Sequence, residues 1–185
     1  GFLTHRRLGR PAVTLKLAVS PNGMIGRAGG PRVVVTGEAA RHGAQALRLE
    51  SDAILVGIET ALADDPLLTT RLPGVKGRQP LRVVLDSEAR LPLESQLVRT
   101  GHDIPTALKA FGVDVVHARR GADGRLDPAE VARLLGLRDV MTLLVEGGAA
   151  VADAFLKAGL VDRVARFEGV APIQDGTPAP AELVG

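Results

Sequence analysis

The chain has 185 residues, 45% of them apolar, and its 23 lysines and arginines against 21 acidic residues leave a net charge of +2. A chain this long can bury roughly two-thirds or more of its unfolded surface, which excludes a disordered polymer, and no run of about 18 apolar residues is present to cross a membrane as a helix. Cysteine, Tyr and Trp are absent and Phe occurs four times, so thiolate chemistry, a disulfide framework and a base-stacking platform for nucleic acid all lack their parts. The opening GFLTHRRLGR carries no signal-peptide pattern, which makes the cytoplasm the default expectation.

In chain order, short apolar runs rich in Val, Leu and Ile predict strands over 13–19, 53–57, 81–85, 113–117 and 141–145, with 32–35 as a further edge strand or extended lead-in. Three of these are nearly continuous in apolar character, as expected of strands covered on both faces of a largely parallel sheet. Between them, Thr36 reads as the N-cap of a helix running to about Glu50. Asp127-Pro128-Ala129-Glu130 combines a cap, an N1 proline and a first-turn acid, predicting a helix to about Gly136. A further helix spans 148–158, with Gly159 suited to a left-handed terminus. The Pro/Gly-rich tail from Pro172 reads as loop, and the alternation of strand and helix implies an α/β fold.

Several positions could carry chemistry. Leu143-Leu144-Val145-Glu146-Gly147-Gly148 ends an apolar strand in an acid, and two glycines then open a helix, a pattern that suits close approach of a phosphate. A tight turn with a solvated acid is the alternative. Lys16 interrupts an apolar strand, either on an exposed alternating face, which strand periodicity favours, or facing a polar cleft. Asp64-Asp65, after a short helical piece beginning near Gly57, could bind a metal, or cap a helix and shape a turn. Asp86 and Ser87 end a buried strand where open α/β sheets contact ligands, although Asp86 could instead cap the next turn. Arg48 and Arg71 are suited to a phosphate or to the surface. His5, His42, His102 and His117 have no metal or triad spacing and read as structural.

The segments LKLAVSPNGMIG, RLESDAILVGIETALADDPLLTTR, LRVVLDS and LLVEGGAAVADAFLKAGLVD, within about residues 8–168, together resemble the reductase domain of the bifunctional riboflavin-biosynthesis deaminase/reductase. The resemblance implies a dihydrofolate-reductase-like, three-layer α/β/α fold with a mostly parallel central sheet, the closing hairpin being cut short here. It implies one pyrimidine reductase domain over 1–185, from the C-terminal part of a longer bifunctional chain and forming a homodimer. The implied reaction is NADPH-dependent reduction of the ribosyl side chain of 5-amino-6-(5-phosphoribosylamino)uracil to the ribitylamino product, with no metal. By the same resemblance, Thr60, Asp64, Ser87, Val34 and the run Gly147, Gly148, Ala149, Ala150, Val151, Ala152, Asp153 and Ala154 fall on cofactor positions. Arg32, Arg48, Leu68, Arg71 and Glu146 fall on substrate positions, with Lys16 and Glu146 as the ionisable pair beside the reacting sugar. The chain departs from the family pattern at Asn22, where an acid is usual, and at Gly30-Pro31-Arg32-Val33-Val34. A reductase of the same fold acting on a pterin-like heterocycle and a non-catalytic nucleotide-binding module are the alternatives.

Overall fold

Five parallel strands form one sheet in the order β3-β2-β4-β1-β5: β1 (Ala12–Val19), β2 (Ala53–Gly57), β3 (Leu81–Leu85), β4 (Thr142–Val145) and β5 (Arg163–Glu168). The computed structural model describes residues 1–26, 37–74, 78–101, 118–121 and 123–180. The helices are α1 (Phe2–Leu8), α2 (Glu38–Leu49), α3 (Ile58–Asp64), α4 (Gln96–Arg99), α5 (Pro128–Gly136) and α6 (Ala149–Lys157).

Strand alternation sorts the core onto two faces. Val13, Leu15, Leu17 and Val19 of β1 join Leu55, Val83, Leu143 and Val145 on one face, under Val131, Ala132 and Leu135 of α5 and Ala152 and Phe155 of α6. Ile54, Val56, Val84 and Leu144 line the other, against Leu47 of α2, Ile58 and Ala61 of α3, Leu97 of α4 and Leu68. All five residues of β2 are buried. A strand with no wet face has no polar position to alternate with, hence its continuous apolar run.

Local signals behave as the chemistry demands. Asp127 accepts a hydrogen bond from the Ala129 amide at 2.9 Å and caps α5, and Gly159 closes α6 at φ +63°. The α2 N-cap is Gly37 rather than Thr36. The expected strands at 32–35 and 113–117, with Thr36, Arg32, Val34, His102 and His117, lie outside the described residues. Three elements go beyond the sequence expectation: α1, α4 and β5. Arg163, Arg166 and Glu168 break the apolar pattern of β5, and its order comes from pairing with β1 from Thr14↔Arg163 to Val19↔Glu168. The Phe167 ring fits against Gly43 of α2, where an added Cβ would come within 2.6 Å of it. Described tail residues form no helix or strand beyond one bridge, Met24 to Pro178.

That tail explains the amide at position 22. Asn22 donates from Nδ2 to the Ile173 carbonyl at 2.9 Å, and its Oδ1 accepts from the Ile173 amide at 3.1 Å and from the Ser20 hydroxyl at 2.7 Å. A carboxylate has no proton for the Ile173 carbonyl. Asn22→Asp is therefore expected to cost about 1–3 kcal/mol at neutral pH, read as a lower urea midpoint. The loss should shrink as the pH falls through the carboxyl range and the new side chain regains a donor. An equal loss at both pH values would contradict the assigned hydrogen bond.

Candidate functional site

Lys16 and Glu146 meet because of strand register. Leu15 pairs with Val145 across β1 and β4, so the next residue on each strand projects from the same face. The Glu146 amide continues the sheet by donating to the Leu55 carbonyl at 2.9 Å. Lys16 Nζ lies 3.6 Å from Glu146 Oε2, with side-chain exposures of 21% and 7%. Lys16 is thus mostly covered and faces a carboxylate, against the exposed face that periodicity favours.

Glu146 has a second partner. Arg48, in the last turn of α2, donates from Nε to Oε1 at 2.7 Å and from Nη2 to Oε2 at 3.0 Å, a forked pairing. Its Nη1 donates to the Thr69 carbonyl at 3.1 Å. Burial would push the Glu146 carboxyl up, but the Arg48 hydrogen bonds and the Lys16 and Arg48 charges outweigh it and hold the group below the usual carboxylate range. Glu146 is therefore an ionised carboxylate between two cations, and Arg48 directs its fork at it.

The loop after α3 completes this side of the site. Leu68 sits at φ +52° with its side chain in the core, so any ligand contact it makes comes from its backbone. The Arg71 amide donates to Gln45 Oε1 at 2.6 Å. Gln45 and Arg48, three apart on α2, thus grip the loop at Arg71 and Thr69. The Arg71 residue is exposed, and among the described residues its guanidinium pairs with no carboxylate. Beneath the loop, fully buried Arg82 of β3 donates from Nη1 to the Leu67 carbonyl at 3.3 Å and Thr100 Oγ1 at 2.8 Å, and from Nη2 to the Leu97 carbonyl at 3.1 Å. Burial lowers its guanidinium to about 10, still protonated at neutral pH.

Gly147 and Gly148 open the other side. A Cβ on Gly57 would meet Val151 Cγ2 at 2.8 Å and one on Gly147 would meet Val151 Cβ at 2.6 Å, so these glycines let α6 start directly on the sheet. Gly148 differs: a Cβ there would stand 3.5 Å from Thr60 Oγ1, in a cradle between the starts of α6 and α3. No side chain caps α6, whose first internal bond into Gly148 comes from the Val151 and Ala152 amides. The Ala149 and Ala150 amides therefore point out of the positive helix end. Amides, a hydroxyl and a glycine-sized opening fit a pyrophosphate.

The remaining expected cofactor positions divide. Thr60 and Asp64 are four apart on α3, Asp64 exposed at its far end. Ala152 is buried in the core and Asp153 pairs with Lys157 at 2.8 Å, while Val151 packs under the glycines. Asp65 leads into a turn and accepts from the Gln96 amide at 2.8 Å, the capping alternative for the acid pair. Asp86 likewise caps its turn, accepting from the Glu88 amide at 3.2 Å and the Leu91 amide at 2.9 Å. Ser87 is half-buried, and its carbonyl accepts from Arg120. His5 Nε2 lies 2.9 Å from the Gly136 carbonyl, joining α1 to α5. The Arg48 fork, the Arg82 anchor and Arg120 were not read from sequence. A charged residue inside the buried run LRVVL was the available signal for Arg82.

Residues 11–174 match the family described as the RibD C-terminal domain. The riboflavin biosynthesis protein RibD of Bacillus amyloliquefaciens is 36% identical over 195 residues, covering 100% of this chain and 52% of that protein. Acinetobacter baumannii RibD (form 2) superposes with a TM-score of 0.83 at 29% identity, over 97% of this chain and 51% of that one. The diaminohydroxyphosphoribosylaminopyrimidine deaminase/5-amino-6-(5-phosphoribosylamino)uracil reductase of Thermotoga maritima gives 0.74 at 27% identity, over 100% and 52%. The chain spans about half the length of the curated relatives it matches.

Proposed function

The chain belongs to the RibD C-terminal domain family, and on that premise we propose that it reduces the ribosyl side chain of 5-amino-6-(5-phosphoribosylamino)uracil to the ribitylamino form with NADPH. The observation that carries this reading is the continuity of Glu146, Gly147 and Gly148. A buried carboxylate paired with two cations is followed at once by an open, electropositive helix start. Bound at that start, the nicotinamide cofactor supplies the hydride. The Ala149 and Ala150 amides and the Thr60 hydroxyl would hold its pyrophosphate.

On the neighbouring side Lys16 would present its remaining ammonium donors to the opened sugar, steadying developing charge and holding a proton there. Glu146 orients Lys16 and Arg48 without covalent chemistry. Arg71 takes the substrate phosphate as a fork. Arg48, held by Glu146 and Thr69, shapes the wall beside it with its remaining donors. We read the 185 residues as one reductase domain of a longer bifunctional chain, acting as a homodimer in the cytoplasm.

Loss of reduced-nicotinamide absorbance tests the reading directly. Oxidation of NADPH is expected with the phosphoribosylaminouracil and not with a dihydropterin-type acceptor or without substrate. Turnover of the pterin alone would support the other reductase reading, and binding without any oxidation would support a nucleotide-binding module.

A further inference from the structure

We propose that Arg120 is the residue that selects the phosphorylated dinucleotide, by pairing with the 2′-phosphate on the adenosine ribose. The inference rests on the nicotinamide-cofactor reading above and adds to it the residue that distinguishes NADPH from NADH.

The position comes from the sheet. Gly57 of β2 is in register with Leu85 of β3, and Leu55 with Val145 of β4. Carrying that register forward puts Asp86 and Ser87 level with the start of α3 and with Gly148. β3 and β4 flank β2, so their ends stand about 10 Å apart at the usual strand spacing. A dinucleotide whose pyrophosphate lies at Gly148 can therefore extend its adenosine side across β2 to Ser87.

The chemistry there fits a dianion. In the doubly wound dinucleotide-binding fold an acid near the pyrophosphate site grips the ribose diol of NAD, whereas a nearby arginine accommodates the 2′-phosphate of NADP, and Asp86 and Arg120 offer the same two chemistries here. Asp86 is already committed to its turn, each of its oxygens accepting a backbone amide, from Glu88 and Leu91. Arg120 is exposed and held in place by carbonyls, with Nη2 on Ser87 and Nη1 on Gly124 at 3.0 Å. Two carbonyls fix the guanidinium without neutralising it and leave three of its five N–H donors for a ligand. Among the described residues no carboxylate pairs with Arg120. The contrast is Arg90, which Glu59 at 2.5 Å and Glu88 at 3.4 Å both neutralise. Arg120 thus supplies an uncompensated fork beside a hydroxyl-bearing residue at the mouth of β3.

Fluorescence titration of wild type, Arg120→Ala and Arg120→Lys with NADPH and NADH, and competition by 2′-AMP and 5′-AMP, test this without recourse to turnover. Arg120→Ala should weaken NADPH roughly ten- to hundredfold, leave NADH within about twofold and abolish the advantage of 2′-AMP over 5′-AMP. Arg120→Lys should lie between, since it keeps the charge and loses the fork. A wild type that prefers NADPH, with the preference intact in Arg120→Ala, overturns the role of Arg120 and leaves the cofactor reading standing. A wild type that binds both dinucleotides equally overturns the NADPH reading itself.

Discussion

Glu146→Gln is expected to abolish most turnover while leaving cofactor binding nearly unchanged. The substitution keeps the side chain's shape and removes the charge that two cations share, Arg48 at 2.7 Å and Lys16 at 3.6 Å. Breaking a buried ion pair from one side typically costs about 3–5 kcal/mol because the abandoned charge stays buried. Lys16 and Arg48 are both mostly covered, so the upper part of that range applies to Glu146→Ala and the lower part to Gln. Lys16→Met should also cut turnover strongly, and the double variant should lose much less than the sum of the single losses, as residues acting through one contact do. Strict additivity would refute the pairing.

The pH dependence gives a second readout with a definite sign. The folded Glu146 carboxyl lies below its usual value, near 4.3 in an unfolded chain. Its contribution is therefore complete above about pH 4.3 and is lost as the pH falls from there through the folded value. Urea midpoints followed down the acid side should show this limb in the wild type and a smaller one in Glu146→Gln.

Arg82→Ala carries the other large effect. The residue is fully buried and ties Leu67, Leu97 and Thr100 together. Truncation leaves a cavity and buried carbonyls without this donor, at a cost of about 3–5 kcal/mol. Arg82→Met keeps most of the volume and isolates the hydrogen-bond loss, about 1–3 kcal/mol. Because Leu67 leads directly into Leu68, Thr69 and Arg71, the Met variant should also raise KM for the phosphorylated substrate more than it lowers kcat. An unchanged KM in a folded Met variant would reduce Arg82 to a core staple.

Local patterns were enough for the central strands, the capped helices and the α/β class, because buried parallel strands and N-caps write their physics into neighbouring residues. Ala53–Gly57 is continuously apolar since both its faces are covered, and Asp127-Pro128 starts α5 wherever that helix packs. The segment Glu146-Gly147-Gly148 was legible for the same reason: an acid, then room for an open helix start. β5 was not, since its charged positions mask a strand whose order comes from the backbone of β1. Nor could any local pattern decide between cleft and surface for Lys16, or between ligand and turn for Asp86. Those choices depend on which strand lies alongside and which amides come within reach. Folding alone brought Arg48 onto Glu146, Asn22 onto Ile173 and Arg120 onto Ser87, because each contact joins residues that chain proximity and periodicity leave unrelated.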